Sequence, residues 1–375
     1  MAGSKIFISA GELSGDLHGS NLVEALLQID DSLQISAIGG DNMEEAGADL
    51  LYHINETSVM GITEVFKLLP RIYQIWRNTK KHIKSIRPDL IITIDYPGFN
   101  LRLAKFAARQ NIPVVYYISP KIWAWHESRI KKIRKYVNEM LCILPFEEDW
   151  YEKRGVTTTF VGNPLIDRYD AVKSAKAVQK PVESPKIGLF PGSRAQEINS
   201  LLPEMIATVK NLRSKFPNMA ATIAMAPGFD FTYLQQKYSY SWLKWEEGTN
   251  ETIMKNSDLL IIASGTAVLE ATILNTPAIV VYKVAPFTYW FGRLFVKVDH
   301  ISLPNIIAGK EVLPELIQNE VQAEKITKKA LDILQNPDRN MAIRQELAKI
   351  TQSLGKKGVA KRAAWIIYNR IQENA

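Results

Sequence analysis

Lys5-Ile6-Phe7-Ile8-Ser9-Ala10-Gly11-Glu12-Leu13-Ser14-Gly15-Asp16 is the stretch from which the fold can be read. Lys5–Ala10 is almost continuously apolar and lacks the in–out alternation of a half-buried strand. A strand covered on both faces of a parallel sheet has that character. The two glycines then make a turn, and helical periodicity follows over Asn21–Gln28. Strand, tight turn and helix form the opening half of a βαβ unit.

The unit repeats outward from there. Gln34–Gly39 reads as a second strand and Leu90–Ile94, behind the breaker Arg87-Pro88-Asp89, as a third. Val114–Ile118 follows Pro113, and Met140–Leu144 is closed by Pro145. Leu101–Arg109 carries helical spacing between two of them. After Gly162-Asn163-Pro164 the pattern weakens, and the polar segment 167–185 reads as a connection. It restarts at Lys186–Phe190 and continues through Ala221–Met225, Trp242–Trp245, Leu259–Ala263 and Ala278–Tyr282, before a helical stretch, Val321–Ala375. The expectation is an α/β protein of two Rossmann-like domains, 1–165 and 166–345, facing across a cleft. A helical tail, 346–375, would pack back on the first domain or on a partner subunit. Ligands of open α/β sheets bind beyond the carboxyl ends of the strands, so the loops there are where chemistry is sought.

Composition narrows the function classes. The chain has 375 residues, 46% hydrophobic and 23% charged, which is ordinary for a globular protein and enough for two cores. Its net charge of +7 favours anionic partners: nucleotides, nucleic acid or an anionic membrane surface. No zinc-finger spacing or arginine-rich tail speaks for nucleic acid. The lone cysteine, Cys142, sits in an apolar run and reads as a small buried hydrophobe. Ile6–Ala10 is too short for a signal sequence, and no apolar run is long enough to span a bilayer, so a cytoplasmic location is expected.

Six loops carry candidate chemistry. Gly11 and Gly15 permit close approach to the first loop, but it is not G-x-G-x-x-G. Its carboxylates, Glu12 and Asp16, would repel a phosphate, so with Ser14 they suit sugar hydroxyls. In Asp95-Tyr96-Pro97-Gly98-Phe99-Asn100 a carboxylate closes an apolar strand, a costly placement unless it is exposed in a cleft or paired; held there it is a candidate general base, the other reading being a helix cap before Asn100-Leu101. Trp123-Ala124-Trp125-His126 sets two indoles near a Lys and a His, suited to an amphipathic substrate or to packing between domains. Gly192-Ser193-Arg194 offers backbone N–H groups and a guanidinium to a diphosphate, without the Gly-Lys-Ser/Thr ending of a P-loop. Ser264-Gly265-Thr266 opens a helix as a second anion site, with Glu270 one turn further to take two ribose hydroxyls. Asn305, in Ser302-Leu303-Pro304-Asn305, is an amide able to read a phosphate. The five histidines lack metal-ligand spacing and there is no Asp-x-Asp, so a reaction without metal or cofactor is expected.

Residues 59–87 stand apart. Val59, Met60, Ile62, Val65, Phe66, Leu69, Ile72, Tyr73 and Trp76 recur at helical spacing, interleaved with basic residues and a single acid, Glu64. Such a helix fits either a membrane surface or an ordinary core.

Together these motifs resemble the lipid-A-disaccharide synthases, glycosyltransferases of the GT-B architecture. The resemblance rests on the first loop, Val59–Val65, Ile94–Asn100, Ser119–Trp125, Pro191–Arg194, Ala263–Glu270 and Ser302–Asn305, in the family's order over nearly the whole chain. It implies condensation of UDP-2,3-diacylglucosamine with 2,3-diacylglucosamine 1-phosphate, giving a β-1,6 disaccharide 1-phosphate and UDP at the cytoplasmic face of the inner membrane. Asp95 then corresponds to the family's catalytic aspartate. Gly192, Ser193, Arg194, Ser264, Gly265, Thr266, Glu270 and Asn305 fall on the UDP side, and Glu12, Ser14, Asp16 and Trp125 on the acceptor side. Val65, Phe66, Leu69 and Trp76 become lipid contacts of a peripheral membrane enzyme, and a homodimer exchanging C-terminal helices is compatible with the tail. A UDP-N-acetylglucosamine 2-epimerase or another GT-B UDP-sugar transferase keeps the fold but gives no role to residues 59–76. A non-catalytic nucleotide-binding membrane scaffold is the alternative of a different class.

Overall fold

The computed structural model describes residues 3–56, 62–169, 183–285 and 298–374, with backbone alone for 62–69 and 374. The chain forms two compact units, Met1–Asp167 with Gly355–Ala375, and Arg168–Leu354. The second therefore contains the whole of helix Pro337–Ser353 and reaches beyond the expected boundary at 345. Most of the expected interdomain connection, residues 170–182, lies outside the described residues.

The first unit is built on seven parallel strands: β1 (Lys5–Ala10), β2 (Gln34–Gly39), β3 (Asp49–His53), β4 (Leu90–Ile94), β5 (Val114–Tyr117), β6 (Glu139–Cys142) and β7 (Thr158–Phe160). Their order is β3-β2-β1-β4-β5-β6-β7. Neighbouring residues of one strand enter opposite cores, which is why the apolar runs do not alternate with polar residues. Ile6 and Ile8 join Leu22, Val23 and Leu26 of helix Leu13–Ile29 on one face. Phe7 joins Ile75 and Ile83 of helix Ile62–Ile86 on the other. β6 ends two residues before the expected Leu144, because the Ile143 and Leu144 N–H groups donate to the Glu147 carboxylate instead of continuing the ladder.

The last helix, Val359–Asn374, belongs to this unit. Val359, Ala363, Ala364, Ile367 and Ile371 are buried in the same core as helix Leu13–Ile29. Two Ile and a Val fully withdrawn from water are each worth roughly 1.5–3 kcal/mol. The helix start is fixed by Asp167, whose carboxylate accepts from Gly358 N at 2.6 Å and Val359 N at 2.9 Å, an anion at the positive helix end.

The second unit has six parallel strands: β8 (Lys186–Phe190), β9 (Ala220–Met225), β10 (Leu243–Glu247), β11 (Leu259–Ala263), β12 (Ala278–Tyr282) and β13 (Glu315–Ile317), ordered β10-β9-β8-β11-β12-β13. Both sheets reverse their strand order once, between β1 and β4 in the first and between β8 and β11 in the second. Such switch points are where open α/β sheets receive ligands. Among the described residues no helix is long and apolar enough to cross a membrane.

Candidate functional site

At the first switch point the loops after β1 and β4 lie side by side. Asp95 and Tyr96 both take left-handed backbone conformations, φ +43° and +45°, a strained geometry for non-glycine residues that persists only when its surroundings hold it. Asn100, wholly buried, does so. Its Nδ2 donates to the carbonyls of Asp95 at 2.8 Å and Ile94 at 3.1 Å, while its Oδ1 accepts from Ser9 Oγ at 2.8 Å. The Tyr116 hydroxyl also donates to the Asp95 carbonyl. Gly11 completes the arrangement, since a Cβ there would lie 2.2 Å from the Tyr96 ring.

The Asp95 carboxyl is thereby set in a half-buried, water-poor position. Burial raises its pKa above the ordinary carboxylate range, and the negative charge of Glu12 raises it further. Lys121 and the Tyr96 N–H oppose both. A carboxylate made more basic in this way is suited to take a proton. Glu12 is the residue before helix Leu13–Ile29 and makes no side-chain cap, and it is exposed along with Ser14. Leu13 and Leu17, exposed on the same first turns, give this rim an apolar character that the motif reading did not draw out.

Asp16 differs from expectation. It is 1% exposed, and its carboxylate accepts from Gly40 N, Asn42 N, Asn42 Nδ2 and Met43 N. With these four donors it anchors the turn after β2 and does not line an acceptor surface. The two tryptophans separate as well. Trp123 is buried with its Nε1 donating to Glu147 at 2.8 Å, whereas Trp125 is half-exposed beside His126 and Arg129. Trp76 is partly buried, edge-on to Phe99 and Phe106. This packing gives it a core role that the lipid-contact reading did not include. Val59 and Met60, and the side chains of Val65, Phe66 and Leu69, lie outside the described residues.

In the second unit the loops after β8 and β11 meet in a pocket of about 930 Å³ lined by Gly192, Ser193, Arg194, Ser264, Gly265 and Thr266. Two helices, Ala195–Arg213 and Thr266–Ile273, begin at its wall. Their free N–H groups and positive ends suit an anion. Arg194 is largely exposed and meets Glu197 at 3.1 Å. An exposed pair of this kind is worth only ~0.2–1 kcal/mol, so the guanidinium can be turned to an anion. Glu197, which follows the Gly192–Arg194 loop in sequence, also lines this pocket, as do Asn250 and Pro227, which were not singled out from the sequence.

Glu270 follows one turn beyond Thr266 on the same helix and is 9% exposed. Burial raises its pKa, against the opposing charge of Arg168 and a hydrogen bond from Tyr169. Tyr169 is itself buried. Arg168 and Tyr169 are therefore the partners that a buried carboxylate requires. They lie about a hundred residues away in sequence, with nothing motif-like to mark them.

Asn305 is a second correction. It is fully buried; its Nδ2 donates to Leu313 O and Glu315 Oε1, and its Oδ1 accepts from Val312 N and Leu313 N, all within 2.9 Å. Every position of the amide is taken by the protein. Glu315 also accepts from Ile301 N, Ser302 N and Ser302 Oγ, tying the loop 301–305 to β13. Asn305→Leu is expected to destabilise the protein by more than about 3 kcal/mol, as each buried partner left unsatisfied costs ~1–3 kcal/mol. Urea unfolding checks this, and unchanged stability with lost nucleotide affinity would return Asn305 to the ligand.

Comparison with known proteins bears on the whole chain. Residues 6–367 match a family model described as lipid-A-disaccharide synthetase. Similar curated proteins include lipid-A-disaccharide synthases of Myxococcus xanthus (39% identical, covering 96% of each chain) and Syntrophus aciditrophicus (39%, 98% of each). That of Coxiella burnetii is 32% identical over 99% of this chain and 100% of its own. Among solved structures, the kitacinnamycin glycosyltransferase superposes with a TM-score of 0.66 at 13% identity, covering 99% of this chain and 100% of that one. A UDP-GlcNAc 2-epimerase from Neisseria meningitidis bound to UDP-GlcNAc superposes at 0.62 and 12%, covering 98% and 100%. At such identities these structures share the fold of two Rossmann-like domains.

Proposed function

The chain belongs to the lipid-A-disaccharide synthetase family, and from that premise we propose that it joins UDP-2,3-diacylglucosamine to 2,3-diacylglucosamine 1-phosphate with Asp95 as the base. The acceptor hydroxyl oxygen attacks the anomeric carbon of the donor, and its proton passes to Asp95. The bond to the diphosphate breaks, inverting the anomeric centre and releasing UDP. The observation that carries this reading is the half-buried Asp95 carboxyl on a strained turn, its proton affinity raised by burial and by Glu12. Glu12, Ser14 and Trp125 are the groups at hand for the acceptor.

The diphosphate is assigned to Gly192, Ser193, Arg194, Ser264, Gly265 and Thr266, where positive charge and two helix N-termini offset the charge of the leaving group. Glu270, kept in place by Tyr169, takes the ribose hydroxyls. Contact with an anionic membrane surface is assigned to helix Ile62–Ile86, whose Arg71, Arg77, Lys80, Lys81 and Lys84 have no acidic residue among them. Val65, Phe66 and Leu69 supply apolar residues toward its start. That contact would hold the enzyme at the cytoplasmic face of the inner membrane. In a homodimer, exchanged Val359–Asn374 helices would reuse the packing this helix makes with Leu22, Val23 and Leu26.

Purified protein given the UDP-sugar lipid should release UDP only when the acceptor is added. UDP release or isomerised UDP-sugar without acceptor would favour an epimerase, and none under either condition would sink the synthase reading.

A further inference from the structure

The loop after β5 is a rigid mount for Lys121. Residues 114–120 are buried, as are Ile122 and Trp123, and the lysine between them is exposed. Three bonds tie the loop to its neighbours: Ile118 N donates to Leu141 O at 2.9 Å, the Tyr151 hydroxyl to Pro120 O at 2.9 Å, and Trp123 Nε1 to Glu147 at 2.8 Å. Ile118 and His126, toward its two ends, have φ of +62° and +59°. For a β-branched residue that conformation is an outlier, of the kind that surrounding structure maintains at functional sites. Lys121 and Arg129 both lie close to the turn that carries Asp95. The charge of Lys121 acts on the Asp95 carboxyl, and that of Arg129 on Tyr116, whose hydroxyl donates to the Asp95 carbonyl. Arg129 also lies over the Trp125 ring at 5.9 Å. Glu127, the acid nearest to both in sequence, meets Arg154 at 2.9 Å, and among the described residues Lys121 forms no salt bridge.

We propose that Lys121, together with Arg129, binds the anomeric phosphate of the acceptor and so makes the enzyme select a phosphorylated sugar. The inference rests on the reading of Asp95 as the base for the acceptor hydroxyl. The strand order β1-β4-β5 sets three loops in a row, with Asp95 after β4 in the middle, Glu12 after β1 to one side and Lys121 after β5 to the other. The attacking hydroxyl and the phosphate belong to one sugar ring and stand on opposite sides of its ring oxygen. A ring whose hydroxyl meets Asp95 therefore holds its phosphate roughly one strand spacing away, ~4.8 Å. Toward β1 that step leads to the Glu12 carboxylate, which repels a phosphate. Toward β5 it leads to an ammonium that offers a point charge and three donors. Without a cation on that side, a phosphate brought beside two carboxylates would bind worse than the bare sugar.

The test compares 2,3-diacylglucosamine 1-phosphate with 2,3-diacylglucosamine as acceptors, at equal mole fraction in detergent micelles and with saturating donor. The readout is the ratio of their kcat/KM values on the alkaline side of the acid limb, where Asp95 is unprotonated with or without the Lys121 charge beside it. The wild type should prefer the phosphorylated acceptor. Lys121→Gln should cut that preference by about tenfold to a hundredfold, the worth of a hydrogen bond to a charged group, with the loss in KM rather than in kcat. Lys121→Arg keeps a cation in place and should retain most of the preference. Lys121 is exposed, so both variants are expected to fold. A preference in Lys121→Gln that stays within about threefold of wild type, whether both acceptors fall together or neither falls, would overturn the subsite while the reaction stands. So would a wild type indifferent to the phosphate. Wild-type protein that releases no UDP with either acceptor would overturn the reaction reading and the subsite with it.

Discussion

Asp95→Asn is expected to lower kcat by ~10²–10⁴-fold, the usual contribution of a positioned general base, while UDP binds with unchanged affinity. Asparagine preserves the volume and the strained turn, because what holds that turn is the Asp95 backbone carbonyl, through Asn100 and Tyr116, and not the carboxylate. The fold is therefore expected to survive, and thermal melting should show no loss. The pocket assigned to the nucleotide is built from the second unit, so titration with UDP should not register the change. Turnover at a wild-type rate would remove Asp95 from the mechanism. Loss of UDP affinity would mean that the residue serves the donor.

Arg194→Met is expected to reduce kcat/KM for the UDP-sugar by ~10²–10³-fold, the range seen when a preorganised donor to a developing anion is removed. The guanidinium stands at the mouth of the pocket with only Glu197 to leave. Two helix N-termini remain in the variant, so some binding should persist. Arg194→Lys should recover only part of the loss, because an ammonium keeps the charge without the planar, two-pronged contact. Steady-state kinetics with varied donor would check both variants, and a kcat/KM within threefold of wild type in Arg194→Met would place the diphosphate elsewhere.

The central strands of both sheets were legible because each is covered on two faces, and covered strands are written as apolar runs. β1, β2, β4, β8, β11 and β12 fall where the runs of Ile, Val and Leu predict them. β3, β7 and β13 were not foreseen. They are short edge strands, Asp-Leu-Leu-Tyr-His, Thr-Thr-Phe and Glu-Leu-Ile, paired on one side only, and their partly exposed residues leave no continuous apolar signal. Most of the loops assigned to the site were legible for a related reason: those after β1, β4, β8 and β11 each follow a central strand at a switch point, and the Trp125 loop follows β5.

What a polar side chain does within those loops was less legible. Asp16 and Asn305 have the residue types of ligand contacts, but both are buried and saturated by the protein's own backbone and side-chain groups, on the turn after β2 for Asp16 and on the segment 312–315 for Asn305. A sequence shows that a buried amide or carboxylate needs partners; whether they are protein or ligand depends on the tertiary structure. Tyr169 is the converse. It is an ordinary tyrosine in sequence, and only the fold reveals that it steadies Glu270.

The pH dependence of kcat/KM in Glu12→Gln, set beside the wild type, tests the role of Asp95 most directly. A base must be unprotonated to act, so activity falls as pH drops through the pKa of Asp95. Burial and Glu12 hold that pKa above the ordinary carboxylate value, burial being the larger cause. Removing the Glu12 charge should lower it without returning it to the ordinary value, and the acid limb of the profile should move to lower pH. An acid limb that stays in place, or moves to higher pH, would contradict the assignment of Asp95 as the group that takes the proton.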